Sequence, residues 1–173
     1  MGVIVELAHA RKRIKELEAT VVELEAGSKE FYELYQPTST KQVTYKELLA
    51  LLRSFFPNVA GSINLGESYR YLCAYDDISV FLAQDQTNKM QYVSDQKEIS
   101  SYDCNVFANR LLGQFSVPGW ADLTFGKVWL TVPSHALNCM VAEDGKFWYV
   151  EPQTDELLDL NKYPVESVRF IEM

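Results

Sequence analysis

The stretch Ser134-His135-Ala136-Leu137-Asn138-Cys139-Met140-Val141-Ala142-Glu143-Asp144-Gly145-Lys146-Phe147-Trp148-Tyr149-Val150-Glu151 decides the fold. Two apolar and aromatic runs flank Glu143-Asp144-Gly145, and an Asp-Gly turn between such runs joins antiparallel strands. Strand alternation then assigns faces, placing His135 with Leu137, Cys139 and Val141, and Glu151 with Phe147 and Tyr149. With the turn at 143–145, residues whose numbers sum to roughly 286–288 pair across the hairpin, so Glu151 falls opposite His135 or next to it. A carboxylate there holds the imidazole in one tautomer and stabilises its cation.

Working back along the chain, Val106, Phe107, Leu111 and Leu112 recur at helical spacing until Gly113, and Cys104 opens that helix. A thiol is mostly protonated near neutral pH, and a helix N-terminus or a neighbouring imidazolium lowers its pKa. Unpaired N–H groups at the helix start favour a thiolate and can hold an oxyanion. There are two histidines, His9 and His135, and His9 falls inside a heptad pattern, so His135 is the candidate base. The constellation is therefore Cys104 as nucleophile, His135 as base and Glu151 as the group that orients the histidine. The order, a Cys at a helix start, then a His on a strand, then an acid on the neighbouring strand, is that of papain- and transglutaminase-like folds. Asn138 and Gln153 are candidate supporting or substrate-binding amides. Cys73 and Cys139 read as small buried hydrophobes, and Trp120, Trp129 and Trp148 as core. Asp76, Asp77 and Asp85 lack regular ligand spacing, and no metal ligand is assigned.

Three motifs make the resemblance more particular: Tyr102-Asp103-Cys104-Asn105-Val106-Phe107-Ala108, Ser134-His135-Ala136-Leu137-Asn138 and Val150-Glu151-Pro152-Gln153-Thr154. Together they resemble the papain-like domain at the C-terminus of the Marasmius oreades mushroom agglutinin and its bacterial and phage relatives, over roughly residues 68–160. The resemblance implies a cysteine protease with a Cys/His/Glu triad at Cys104, His135 and Glu151, and a divalent cation, calcium or manganese, as cofactor. Many relatives carry two acids after the cysteine, where this chain has Asn105 and Val106. That departure bears on the cation and on activity. The mushroom protein's repeated Gln/Trp sugar-binding motif is absent, so lectin activity is not implied.

At the N-terminus, Val3, Leu7, Ala10, Ile14, Leu17, Val21 and Leu24 follow the heptad rule. Leu7, Ile14 and Val21 fall at a, the others at d, and Glu6–Arg11 and Arg13–Glu18 are attractive g–e pairs between parallel chains. Residues 3–24 thus read as a parallel homodimeric coil, with a trimer or a single packed amphipathic helix as alternatives. Gly27-Ser28 weakens that helix, and Gln36-Pro37-Thr38-Ser39-Thr40 reads as a linker. Thr44 and Glu47 form a capping box for a helix Tyr45 to Phe55. A strand-like run from Tyr69 to Tyr75, a helix from Asp76 to Ala83 and a closing strand from Val165 to Glu172 complete the reading.

The chain of 173 residues is 47% hydrophobic, enough for one real core, and its formal charge of −8 leaves no basic field for nucleic acid. Three cysteines form no closed disulfide framework, which favours a reducing compartment. With no signal pattern and no apolar run of membrane length, a cytoplasmic or virion-associated protein is expected. The expected fold is α+β, a nucleophile helix on an antiparallel sheet at residues 41–173, preceded by a coiled-coil helix at 1–35. The expected function is that of a cysteine hydrolase, a peptidase acting on protein or peptide through an acyl-enzyme. The rival is a catalytically silent papain-like binding or structural domain of a phage-related protein, oligomerised by its coil.

Overall fold

The computed structural model describes residues 11–22, 36–59, 61–93 and 103–173. It divides into two compact units, Met1–Gln36 and Pro37–Met173. In the first, residues 11–22 are helical (α1). Three heptad residues there, Ile14, Leu17 and Val21, are half exposed, at 54, 51 and 50%. The remaining heptad positions, with Glu6, His9, Gly27 and Ser28, lie outside the described residues.

The second unit opens with a segment that differs from a free linker. Thr38 and Ser39 each donate a backbone N–H and a hydroxyl to the carboxylate of Asp77, and the Thr40 N–H donates to Glu143. Asp77 is only 1% exposed, and these donors offset the cost of burying its charge.

Strand β1 (Gln42–Thr44) leads into helix α2 (Tyr45–Phe55), whose capping box is formed: Thr44 Oγ1 accepts from the Glu47 N–H, and Glu47 Oε2 accepts from the Thr44 N–H. β2 (Ile63–Asn64), β3 (Tyr69–Tyr71), α3 (Tyr75–Gln84) and a 3-10 turn (Thr87–Lys89) follow. Then come α4 (Cys104–Phe115), β4 (Phe125–Leu130), β5 (His135–Val141), β6 (Phe147–Glu151), β7 (Glu156–Asp159) and β8 (Val168–Glu172). β1 pairs with β3, and the other strands form one sheet in the order β2-β8-β4-β5-β6-β7.

The β5–β6 hairpin takes the register Asn138↔Val150 and Cys139↔Tyr149, with Gly145 at a φ of 78° in its turn. Only glycine adopts that conformation without steric cost. The sheet is antiparallel except at one edge, where β2 runs parallel to β8. This corrects the expectation of a wholly antiparallel sheet. β2 reaches β8 through the whole intervening chain, so no hairpin dictates its direction.

The two faces of the sheet are covered by different helices. Leu48, Leu52 and Phe56 of the α2 region join Val128, Leu130, Leu137, Cys139, Val141, Phe147 and Tyr149 in one core. α4 packs on β4 and β5 and buries Phe107, Ala108, Leu111 and Phe115. Phe115 stacks on Phe125 with ring centroids 3.9 Å apart, and Phe81 of α3 joins it at 4.3 Å. The mixed α+β architecture matches the expectation, whereas β4 has no counterpart in the sequence reading.

β4 and β8 approach closely at Gly126, where a Cβ would run into the Glu172 backbone carbonyl. Gly126→Ala is therefore expected to force the two strands apart and cost about 3 kcal/mol, read as a lower urea midpoint at unchanged m-value.

Candidate functional site

α4 starts directly after Asp103, whose backbone is extended. Its carboxylate accepts from the N–H of Asn105 at 3.1 Å and of Val106 at 3.3 Å, and its carbonyl accepts from the Phe107 N–H. Cys104 is the first helical residue, partly exposed. This corrects one expectation. The N–H groups read as free to serve a thiolate or oxyanion are largely taken by the cap, leaving Cys104's own N–H outside it.

The direction of α4 over the sheet follows from its contacts. Its C-terminal Phe115 sits on Phe125, which pairs with Met140 toward the far end of β5. Its first turns meet Lys127, and Asn138 Nδ2 donates to the carbonyls of Ala108 at 3.0 Å and Gly126 at 3.1 Å. Cys104 therefore lies toward the end of the sheet at which β5 begins with His135 and β6 ends with Glu151.

His135 and Glu151 are in direct contact, Nε2 to Oε2 at 2.7 Å, with side chains 19% and 12% exposed. Glu151 Oε1 accepts from the N–H and side-chain amide of Gln153 at 3.2 and 3.4 Å. Gln153 thus braces the carboxylate, and Asn138 ties the helix to the sheet. With Nε2 engaged, Nδ1 is the imidazole nitrogen left for a thiol.

Among the described residues no hydrogen bond joins Cys104 to His135. His135 pairs with Leu130, and by alternation belongs with Leu137 and Cys139 to the face under α2, whereas Asn138 and Lys127 belong to the face under α4.

Sequence reasoning missed Lys127. It is 7% exposed, and its ammonium donates to Asn105 Oδ1 and, at 2.8 Å, to Asn109 Oδ1, with the Trp129 ring centroid at 5.5 Å. Burial pushes this ammonium down from its ordinary value, while Glu172, Cys104 and Asp103 act to raise it. A lone Lys in an apolar strand run was the available signal.

The other cysteines are not competitors. Burial pushes Cys73 up to about 12 and raises Cys139 well above the ordinary thiol value. The divalent cation implied by resemblance does not fit beside Cys104. Val106 offers no donor and the Asn105 oxygen is taken by Lys127. Among the described residues no three His, Cys, Asp or Glu side chains gather as a ligand set. Of the acids considered from sequence, Asp77 holds Thr38 and Ser39, and Asp85 accepts from the Thr87 N–H. No helix among the described residues is long and apolar enough to cross a membrane.

No family model and no curated protein matches the sequence. Among solved structures, the chain is similar to PSL1a in its complex with E-64, at a TM-score of 0.64 and 17% identity over 78% of this chain. It is similar also to Polyporus squamosus lectin bound to a human-type influenza-binding epitope, at 0.62 and 17% over 78%. The chain spans 51% and 50% of those structures, about half their length. At such identity the likeness establishes the fold alone.

Beside the site, the turn after Glu151 is tied down by Asp155, whose N–H donates to the Glu151 carbonyl and whose Oδ2 accepts from Asn88. Burial, then the charge of Asp85, raises the Asp155 carboxyl to about 6. A raised acid binds its proton more tightly in the folded state, so stability falls as pH rises between roughly 4 and 6 and stays lower above that range. Asp155→Asn is expected to stabilise the protein more at pH 7 than at pH 4, since Asn also tolerates the φ of 61° at this position. Thermal unfolding at the two pH values measures the difference.

Proposed function

We propose that Pro37–Met173 carries a cysteine-hydrolase site, with Cys104 as nucleophile, His135 as base, Glu151 as the group that orients it, and a peptide as substrate. The observation that carries this reading is the buried His135–Glu151 contact at 2.7 Å, at the sheet end toward which α4 presents Cys104. In the reaction, the imidazole Nδ1 takes the thiol proton and the thiolate adds to a carbonyl carbon. The Cys104 N–H is the backbone donor available to the resulting oxyanion. Collapse to a thioester sends the proton from His135 to the leaving amine, and water then releases the acid. The imidazole has to approach the sulfur for the first step, and catalytic hydrogen bonds are often long before substrate binds.

The second reading, a binding domain without turnover, draws on a different observation. One neighbour is named as a lectin, and among the described residues the Cys104–His135 hydrogen bond is unformed. The E-64 complex of one neighbour leans the other way, because E-64 is an epoxide that alkylates thiols. Treating the full chain with E-64 and mapping the adduct separates the two. Modification at Cys104 alone is expected, slowed about a hundredfold in His135→Ala. An unmodified Cys104, or labelling indifferent to His135, favours the binding domain.

We propose also that α1 pairs with the same helix of a second copy, through residues 3–24. Support comes from the half-exposed Ile14, Leu17 and Val21 and from the complementary Arg13 and Glu18. Sedimentation of the full chain is expected to give a dimer and Leu17→Lys a monomer. A monomeric full chain overturns the pairing, and a trimer overturns its stoichiometry.

A further inference from the structure

We propose that Lys127 is the positioning cation of this site: its ammonium, held beneath the first turn of α4 by Asn105 and Asn109, stabilises the Cys104 thiolate against the neighbouring Asp103 carboxylate. The inference rests on the reading of Cys104 as the reactive thiol.

The physical problem starts with the cap. Asp103 organises the helix start, yet it puts a carboxylate one residue from the sulfur and consumes two of the N–H dipoles that would favour a thiolate. The chain as a whole carries −8, which adds to the cost of one more negative charge. A local cation can offset both effects.

Lys127 has the required properties. A lysine is rarely buried unless its charge is matched, and this one is 7% exposed. Its partners are two neutral amide oxygens, and among the described residues it forms no ion pair. Neutral acceptors satisfy the ammonium protons without cancelling its charge, so the positive field remains available to Cys104. Its position is fixed by β4, which has strands on both sides, and by Trp129, whose ring lies against the ammonium. Glu172 faces it in register across β8 and limits the field without removing it. The elements packed against α4 bring few other charges. His135 and Glu151 stand at the ends of β5 and β6, Lys89 lies in the 3-10 turn beside α4, and Tyr92 stacks on Phe107.

The test is the pH profile of Cys104 alkylation by iodoacetamide, in which the thiolate forms the sulfur–carbon bond and iodide leaves. Buried Cys73 and Cys139 serve as internal controls. Lys127→Gln keeps a donor for Asn105 and Asn109 but removes the charge. It is expected to raise the labelling midpoint by about one pH unit, hence about tenfold slower labelling below the midpoint. Lys127→Arg is expected to restore the profile. Should Lys127→Gln unfold, Asn109→Asp neutralises the ammonium in place and is expected to raise the midpoint likewise. A midpoint unchanged in whichever variant stays folded overturns the proposal. His135→Ala tests the hydrolase reading separately, because labelling that depends on Lys127 but ignores His135 sinks that reading and leaves this one standing.

Discussion

The side-chain amide of Asn138 joins two backbones that secondary structure leaves apart, donating to the Ala108 carbonyl of α4 and to the Gly126 carbonyl of β4. It is fully buried, so each bond counts for more than at a surface, and losing either acceptor would leave a polar group stranded in an apolar layer. The consequence is geometric. A helix on a sheet can slide along a greasy interface at little cost, but one pinned by a buried amide has a fixed height. That height puts the start of α4 near the sheet end occupied by His135 and Glu151. Phe115 on Phe125 secures the other end of the helix.

What the helix start then presents is a balance of charges. Asp103 is an effective N-cap because its carboxylate accepts two N–H groups, and for the same reason it opposes ionisation of the adjacent thiol. Lys127 enters from below, and among the described residues no ion pair neutralises its charge. The helix start is therefore organised by the Asp103 carboxylate at its cap and by the Lys127 ammonium that Asn105 and Asn109 hold. No free helix dipole has to be invoked.

The hairpin was legible because its turn chemistry and its alternating faces agree, and a register set by a three-residue turn has little freedom. α2 was legible from its capping box, and α4 from the helical spacing of Val106, Phe107, Leu111 and Leu112. β4 was not. Phe125 to Leu130 is buried on both faces, so it shows no alternation, and Gly126 and Lys127 interrupt the apolar run. Gly126 is there for close approach of β8, and Lys127 for contacts with α4, both long-range causes that a local pattern does not record. Of the candidate site, the His135–Glu151 pair follows from the hairpin alone. The relation of Cys104 to that pair depends on which face of the sheet each residue occupies, and that is set by β4 and by the Asn138 bridge.

The gap between thiol and imidazole is where the energetics of the two readings part. Glu151 is a carboxylate 9% exposed at the end of a strand, and an ionised group so placed is costly unless donors satisfy it. Its donors come from Gln153, two residues on, and its other oxygen is committed to His135. A domain that only binds could end the strand with a solvated side chain and avoid the cost. A domain that moves protons needs the cost to be met, because the carboxylate must hold the imidazole in one orientation and stabilise it when it becomes a cation. An imidazole held by Glu151 through Nε2 does not need the thiol as a partner at rest. The unformed contact is thus compatible with a resting thiol and imidazole, and the buried carboxylate, like that of Asp77, is accounted for by the donors that satisfy it.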